Sequence, residues 1–301
     1  MSLIKKLFSG RLPFILIVIV SFMLGYFSKD NVTFLQTASV SPTPAKTVDV
    51  TSVAEDVLPT EGYITAVSWG DTGTQLIKTG AIDLTKYRET FKNSEKELSE
   101  FTIFNAATPQ KIRISEGNAR FIVNTLWALG LVNKSIVLDE GPMKTVGKTA
   151  NFASTGGWTL GVKDPMKLYS SATIVPLSPE EQQAVKRIAE NVYRPCCGNH
   201  TAFPDCNHGM AALAFIELAV SQNISEQQIY KDLLALNSFW FPSTYVDMAV
   251  YFKQTQNTDW KTVDPKLALS RDYSSAGGTQ RIAGLIQNSP GIQSKGGSCG
   301  A

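Results

Sequence analysis

Five of the chain's six cysteine and histidine side chains stand within thirteen residues, and an almost wholly apolar segment follows them. The stretch reads Cys196-Cys197-Gly198-Asn199-His200-Thr201-Ala202-Phe203-Pro204-Asp205-Cys206-Asn207-His208. Adjacent cysteines cannot point one way on a regular helix. In the irregular turn that Gly198 and Pro204 supply, both sulfurs can face a common centre. Residues 209 to 221 then read as a helix with Glu217 as its only charge. A helix that is apolar all round is buried. The fold must therefore wrap other helices around this segment and hold the cysteine loop at its N-terminal end. The expected class is mainly α: a helical bundle with a Cys/His-rich loop before a buried central helix, plus an N-terminal transmembrane helix.

Composition supports a globular body. The 301 residues are 43% hydrophobic and 18% charged, which is ample for a core and too apolar for a disordered chain. The 28 basic and 26 acidic residues leave a net charge of +2, so no basic excess advertises nucleic acid as a partner. At the N-terminus Lys5, Lys6 and Arg11 precede an apolar run from Leu12 to Phe27. Two readings compete, a cleaved signal peptide and an uncleaved signal anchor. No small-x-small cleavage site directly follows the run, so the anchor is preferred. No cysteine follows either, which excludes a lipoprotein anchor. Both readings keep the positive charges inside and place the rest outside the cytoplasm. The expected location is the cell membrane, single-pass, with residues 12–27 in the bilayer and the C-terminal domain periplasmic or extracellular.

Five regions follow. Residues 1–28 are the anchor, and 29–60 an extended linker marked by Ser41-Pro42-Thr43-Pro44. Residues 61–175 are a helical region with a Gly/Ser-rich irregular segment, and 176–285 a helical domain carrying the cluster. Residues 286–301 form a flexible Gly-rich tail with Cys299. Within these, Thr72 to Lys78 predicts a short helix ending at Gly80, and a polar helix should reach about Leu98. Ser115 is the expected cap of a helix to Leu129, with Gly130 as its stop. Residues 140–175 should be irregular with short strands. Ser178-Pro179-Glu180-Glu181 is a capping box for a helix to about Val192. Ser225 should open a helix to about Leu236, broken at Phe239-Trp240-Phe241-Pro242. Ser243 should cap the next, with Tyr245, Met248, Ala249 and Phe252 on one face.

Three chemistries fit the cysteine loop. Thiolates and imidazoles suit zinc, and thiolates suit copper(I) best, so Cys196, Cys197, His200, Cys206 and His208 are candidate ligands of a metal ion, zinc or copper. Five candidates exceed the four ligands of a closed zinc site, so either one of them only supports the ligands or the site uses another geometry. Asp205 could orient an imidazole. Alternatively Cys206, at the start of the apolar helix, is a reactive thiol that Cys196 or Cys197 resolves. The third possibility is plain structural disulfides, one of them using Cys299. That option leaves both histidines unexplained. A structural domain presenting the glycine-rich segment 154–157 to a partner belongs with it. No Gly-x-Ser-x-Gly elbow, phosphate loop or Cys-x-x-Cys-His motif is present. Glu217 is either a partner of the cluster or a polar helix-packing contact, and Phe239-Trp240-Phe241 a candidate apolar wall.

Tyr193-Arg194-Pro195-Cys196-Cys197-Gly198-Asn199, then Asp205-Cys206-Asn207, Met210-Ala211 and Ser225-Glu226 with Ile229, resembles the thiol motif of CcmH-type cytochrome c maturation proteins. The likeness spans residues 193–242. It implies a helical hairpin beneath a cysteine loop and a membrane-anchored thiol–disulfide oxidoreductase. Its partners would be secreted or cytochrome-type proteins, and Cys196, Cys197 and Cys206 would be the catalytic thiols. Adjacent cysteines replace the family's Cys-x-x-Cys. Cys206 stands where the family has serine, and His208 where it has a small residue. These added ligands keep metal binding the leading reading.

Overall fold

The Asp49 carboxylate accepts from the Thr51 and Ser52 N–H groups and caps α1, Val50–Val57. The computed structural model describes residues 48–94, 97 and 99–287, which belong to one compact unit. The apolar run 12–27, the proline stretch 41–44 and Cys299 lie outside these residues. Among the described residues no helix is long and apolar enough to cross a membrane. The end of the expected linker is helical because Val50, Val53 and Val57 recur on one face and pack on the core.

The structure is mainly helical. Beyond α1, its longer helices are α2 Thr72–Thr79, α3 Leu84–Phe91, α4 Ala119–Val132, α5 Pro179–Ala189, α6 Asn207–Ser221, α7 Glu226–Trp240, α8 Pro242–Gln256 and α9 Ala276–Gln287. The centre is α6, buried from His208 to Ala219 as its composition requires. Helix α4 lies along it. A β-carbon at Gly130 would stand 2.2 Å from the Met210 carbonyl oxygen. Gly130 is thus not a stop. It sits inside α4 at a close approach of the two helices, and α4 runs on to Val132. Its start also differs from expectation. Asn118, not Ser115, is the flanking residue, because Asn118 Oδ1 turns back to accept from the Ser115 N–H at 2.8 Å.

Two strands were not anticipated by the helical reading. β1 Tyr63–Gly70 and β2 Thr108–Ile114 pair antiparallel, with Thr65, Val67 and Trp69 alternating inward. The free edge of β1 is closed by side chains instead of a third strand. The Ala66 N–H donates to Asp232 Oδ2 (2.9 Å), and Gln222 both accepts from the Ser68 N–H and donates to its carbonyl. Beside the sheet, Tyr87, Phe91, Phe101, Phe104 and Phe121 form a cluster with ring centroids 5.0–6.2 Å apart, mostly edge to face. Each such pair adds about 0.5–1.5 kcal/mol beyond its buried area.

The polar helix expected to reach Leu98 ends at Phe91. The Gly/Ser-rich segment forms single helical turns, not strands. One of them, Ala153–Gly156, packs inward with Ser154 and Thr155 buried. The capping box at Ser178 is present in both directions, with Ser178 Oγ accepting from the Glu181 N–H and Glu181 Oε2 from the Ser178 N–H. Helix α7 outlasts its expected end by a turn, and Pro242 rather than Ser243 opens α8, because proline fits the first helical position.

Candidate metal centre

Everything from Tyr193 to Cys206 is folded around one guanidinium. Arg194 is 1% exposed. Its Nε donates to Cys206 Sγ (3.0 Å), Nη1 to the Asn199 carbonyl (3.0 Å), and Nη2 to the Phe203 carbonyl (3.1 Å) and Asp205 Oδ1 (2.6 Å). Asp205 Oδ2 accepts from Asn199 Nδ2 at 2.7 Å. Two of the loop's carbonyls and its one carboxylate are thus satisfied within the loop, as buried polar groups must be. The close approach of Arg194 needs a glycine beneath it. A β-carbon at Gly209 would lie 2.5 Å from the guanidinium carbon.

The ends of the loop are fixed separately. Tyr193 and His200 form an antiparallel bridge, and the Thr201 N–H donates to the Val192 carbonyl at 2.8 Å. The Ala276 N–H, at the start of α9, holds the Cys197 carbonyl at 3.0 Å. From the other side the Ser154 N–H donates to the Asp205 carbonyl (3.1 Å), and the Phe152 ring meets Phe203 edge-on. The glycine-rich segment therefore buttresses the cysteine loop.

This scaffold brings three sulfurs into contact. Cys196–Cys206 is 3.4 Å, and Cys196–Cys197 and Cys197–Cys206 are each 3.6 Å, with all three thiols free. Cys206 is the N-cap of α6, its sulfur accepting from the Gly209 N–H at 3.4 Å. His208, on the first turn of α6, offers a ring nitrogen within 4.8 Å of the Cys196 and Cys206 sulfurs. Its ring lies against Phe241 (centroids 4.4 Å) and Trp240 (5.7 Å), so the expected aromatic wall is there.

His200 is not part of this group. Its place in the bridge puts its ring against Tyr193, and its Nδ1 is buried without a partner. Burial pushes the His200 imidazole below its ordinary value. Asp205 is near enough to Cys197 and Cys206 to join a metal group, yet both its oxygens are engaged, by Arg194 and Asn199. It orients the guanidinium and not an imidazole. Glu217 lies further along α6, fully buried, with Oε2 accepting from Asn133 Nδ2 at 2.9 Å. It is a packing contact between α6 and the end of α4.

The electrostatics shift the three sulfurs in different directions. The thiols of Cys196 and Cys197 donate toward the Cys206 sulfur, and the Arg194 charge stands beside it. Together they hold Cys206 well below the ordinary thiol range, against the cost of burial. The partner thiols move the other way. Donation among the sulfurs, to Cys197 and then Cys206, together with burial raises Cys196. Cys197 is pushed up to about 12: although its contact with Cys196 lowers it, donation to Cys206 and burial prevail.

The donor set fits a metal ion. Two thiolates about 2.3 Å from a common tetrahedral ion stand roughly 3.8 Å apart, and the observed edges are a few tenths shorter. A disulfide would need a separation near 2.05 Å, with one sulfur left over. Cys196, Cys206 and His208 are thus close enough to one another to hold an ion, with the Cys197 sulfur in contact with both cysteines. Arg194 is the residue that a count of cysteines and histidines misses. Its only mark in the sequence is its place two residues before Cys196. Comparison with family models, curated proteins and solved structures returns no match to this chain.

Proposed function

We propose that this chain binds a soft or borderline metal ion, copper(I) or zinc, through Cys196, Cys197, Cys206 and His208. In this reading residues 12–27 tether the domain to a membrane, and the centre serves metal handling or sensing outside the cytoplasm. The observation that carries the reading is the sulfur triangle with its 3.4–3.6 Å edges and an imidazole beside it. Three cysteines brought to one point around a buried arginine are more than a disulfide needs. Thiolates select soft ions, so oxygen-seeking cations are poor fits.

Metal content measured on chain purified anaerobically without chelator tests this. One equivalent of a single ion is expected. His208→Ala should weaken retention in a chelator competition by tenfold or more, while His200→Ala should retain the ion like the wild type. Loss of the ion in both variants, or in neither, contradicts the assigned ligand set.

A second reading has its own support. Cys206 stands at a helix N-terminus and is held below the ordinary thiol range, with Arg194 at 3.0 Å and Cys196 at 3.4 Å. That arrangement suits thiol–disulfide exchange with a secreted or cytochrome-type protein, Cys206 attacking and Cys196 resolving. It predicts a metal-free protein whose thiols cycle as a reversible pair, with His208→Ala nearly silent.

A further inference from the structure

The sulfur triangle has a shape as well as a softness. Its edges are 3.4, 3.6 and 3.6 Å. An atom bonded to all three sulfurs at about 2.3 Å would see these edges under angles of about 95–103°. A tetrahedral ion sets its sulfurs roughly 3.8 Å apart, and a planar three-coordinate ion about 4.0 Å. Both spacings are wider than any edge of the triangle. Angles this narrow belong to a pyramidal centre, whose lone pair presses its three bonds together on one side. Trivalent arsenic is such a centre. It is soft, it takes thiolate ligands, and its bonds to sulfur are close in length to those of zinc.

Charge points the same way. Arg194 is 1% exposed, and the Asp205 carboxylate already matches its guanidinium at 2.6 Å. That pair is neutral as a unit. The net charge left in the loop is therefore set by the three partly buried sulfurs and what they hold. Three thiolates around a trivalent atom sum to zero. Around zinc they leave one negative charge, and around copper(I) two, and a net charge taken out of water is costly. A neutral imidazole changes none of these sums. His208 lies within 4.8 Å of the Cys196 and Cys206 sulfurs, beside one edge of the triangle, so a pyramidal atom can use all three sulfurs without it.

We propose that the triangle binds trivalent arsenic, taken up as arsenous acid, through Cys196, Cys197 and Cys206 and without His208. Arsenous acid is small and neutral, with three hydroxyls on one arsenic. At each step a sulfur–arsenic bond forms and an arsenic–oxygen bond breaks. The hydroxyl leaves as water with the proton of the incoming thiol, or with a solvent proton where the sulfur is already ionised. Three exchanges give one arsenic bound to three sulfurs, and three waters. Arsenic stays trivalent throughout, so no oxidant or reductant is consumed. The loop around Arg194 has already gathered the sulfurs, which lowers the ordering cost of binding. This inference shares the sulfur triangle with the metal reading but needs neither its imidazole nor its ion.

The test is native mass spectrometry of the full-length chain, reduced, freed of any ion by chelator under nitrogen, and mixed with sodium arsenite. The expected gain is one arsenic less three hydrogens. Cys299→Ser and His208→Ala should show the same gain and hold it like the wild type. In the Cys299→Ser background, Cys196→Ala, Cys197→Ala and Cys206→Ala should each keep one hydroxyl on the arsenic. They should also surrender it to dithiothreitol at a concentration at least tenfold lower. A chain that gains no arsenic, a wild type that keeps a hydroxyl on it, or loss of the three-sulfur adduct in Cys299→Ser or His208→Ala would overturn the proposal. The metal reading is judged on the untreated sample by its metal content, so either can fail while the other stands.

Discussion

Removing the Arg194 side chain would leave Asp205 and two backbone carbonyls facing a hole. Arg194→Ala breaks a pair that is buried on one side and four-fifths buried on the other. A loss of about 3–5 kcal/mol in urea unfolding is expected, the usual cost of orphaning one partner of a buried pair. Arg194→Lys should recover only part of it, since an ammonium cannot reproduce the planar fork that reaches sulfur, carboxylate and carbonyl together. Gly209→Ala belongs with these variants. Its β-carbon would displace the guanidinium, and a cost of about 1–3 kcal/mol is expected, as for other overpacked positions. If Gly209→Ala melts like the wild type, Arg194 does not sit as described. The protonation pattern also has a consequence for metal binding. With Cys196 raised and Cys197 pushed up to about 12, these two thiols must release protons when they ligate an ion. Apparent metal affinity should therefore climb with pH across the neutral range. A flat pH profile in a chelator competition would contradict the assignment of these two cysteines.

At the scale of elements, the contact between α4 and α6 holds the molecule together, and two residues report on it. Gly130→Ala adds a methyl 2.2 Å from the Met210 carbonyl oxygen. Helix propensity alone would favour alanine by about 1 kcal/mol. The clash should outweigh that, so a lower melting temperature is expected, whereas a rise would show α4 to be free of α6 at this point. Glu217 reports through pH. Burial raises its carboxyl to about 8, far above an unfolded value near 4.3. Between those values the folded chain holds a proton that the unfolded chain has released. Stability should fall as pH rises through that window and level off above it. Glu217→Gln removes this slope, so its stability relative to wild type should be greater at pH 8 than at pH 5. Parallel pH profiles for the two proteins would contradict the burial of a neutral acid. Much of this level was legible in the sequence. The capping box at Ser178, the helix opened by Ser225 and the left-handed Gly80 after α2 are local devices, written in a few adjacent residues. Gly130 was misread because a glycine that ends a helix and one that admits a neighbouring helix look alike in a single segment. The strand β1 was missed although its residues alternate, because its pairing with β2 across 37 intervening residues is a tertiary fact.

For the whole molecule, the core is continuous across the two helical regions drawn at residue 175, with α4 from one packed on α6 from the other. The cysteine loop stands at the end of this contact, held by α6, the start of α9 and the buried turn at Ser154. The convergence of Cys196, Cys197, Cys206 and His208 was foreseeable from their crowding. The exclusion of His200 was not, because it depends on a backbone bridge to Tyr193 that only the folded loop makes. Arg194 escaped for a related reason. An arginine in a sequence is presumed to lie at the surface, and only its burial among four acceptors reveals its role. If the centre holds an ion, binding adds to folding by mass action. The melting temperature should then drop when a strong chelator is added anaerobically, with no such drop in Cys206→Ser. X-ray absorption at the edge of the bound metal tests the central claim most directly. The account predicts three sulfur neighbours near 2.3 Å and one nitrogen at about 2.0–2.1 Å when the ion is zinc, with the nitrogen lost in His208→Ala and unchanged in His200→Ala. A first shell of oxygen and nitrogen, or a protein that takes up no ion at all, would contradict it.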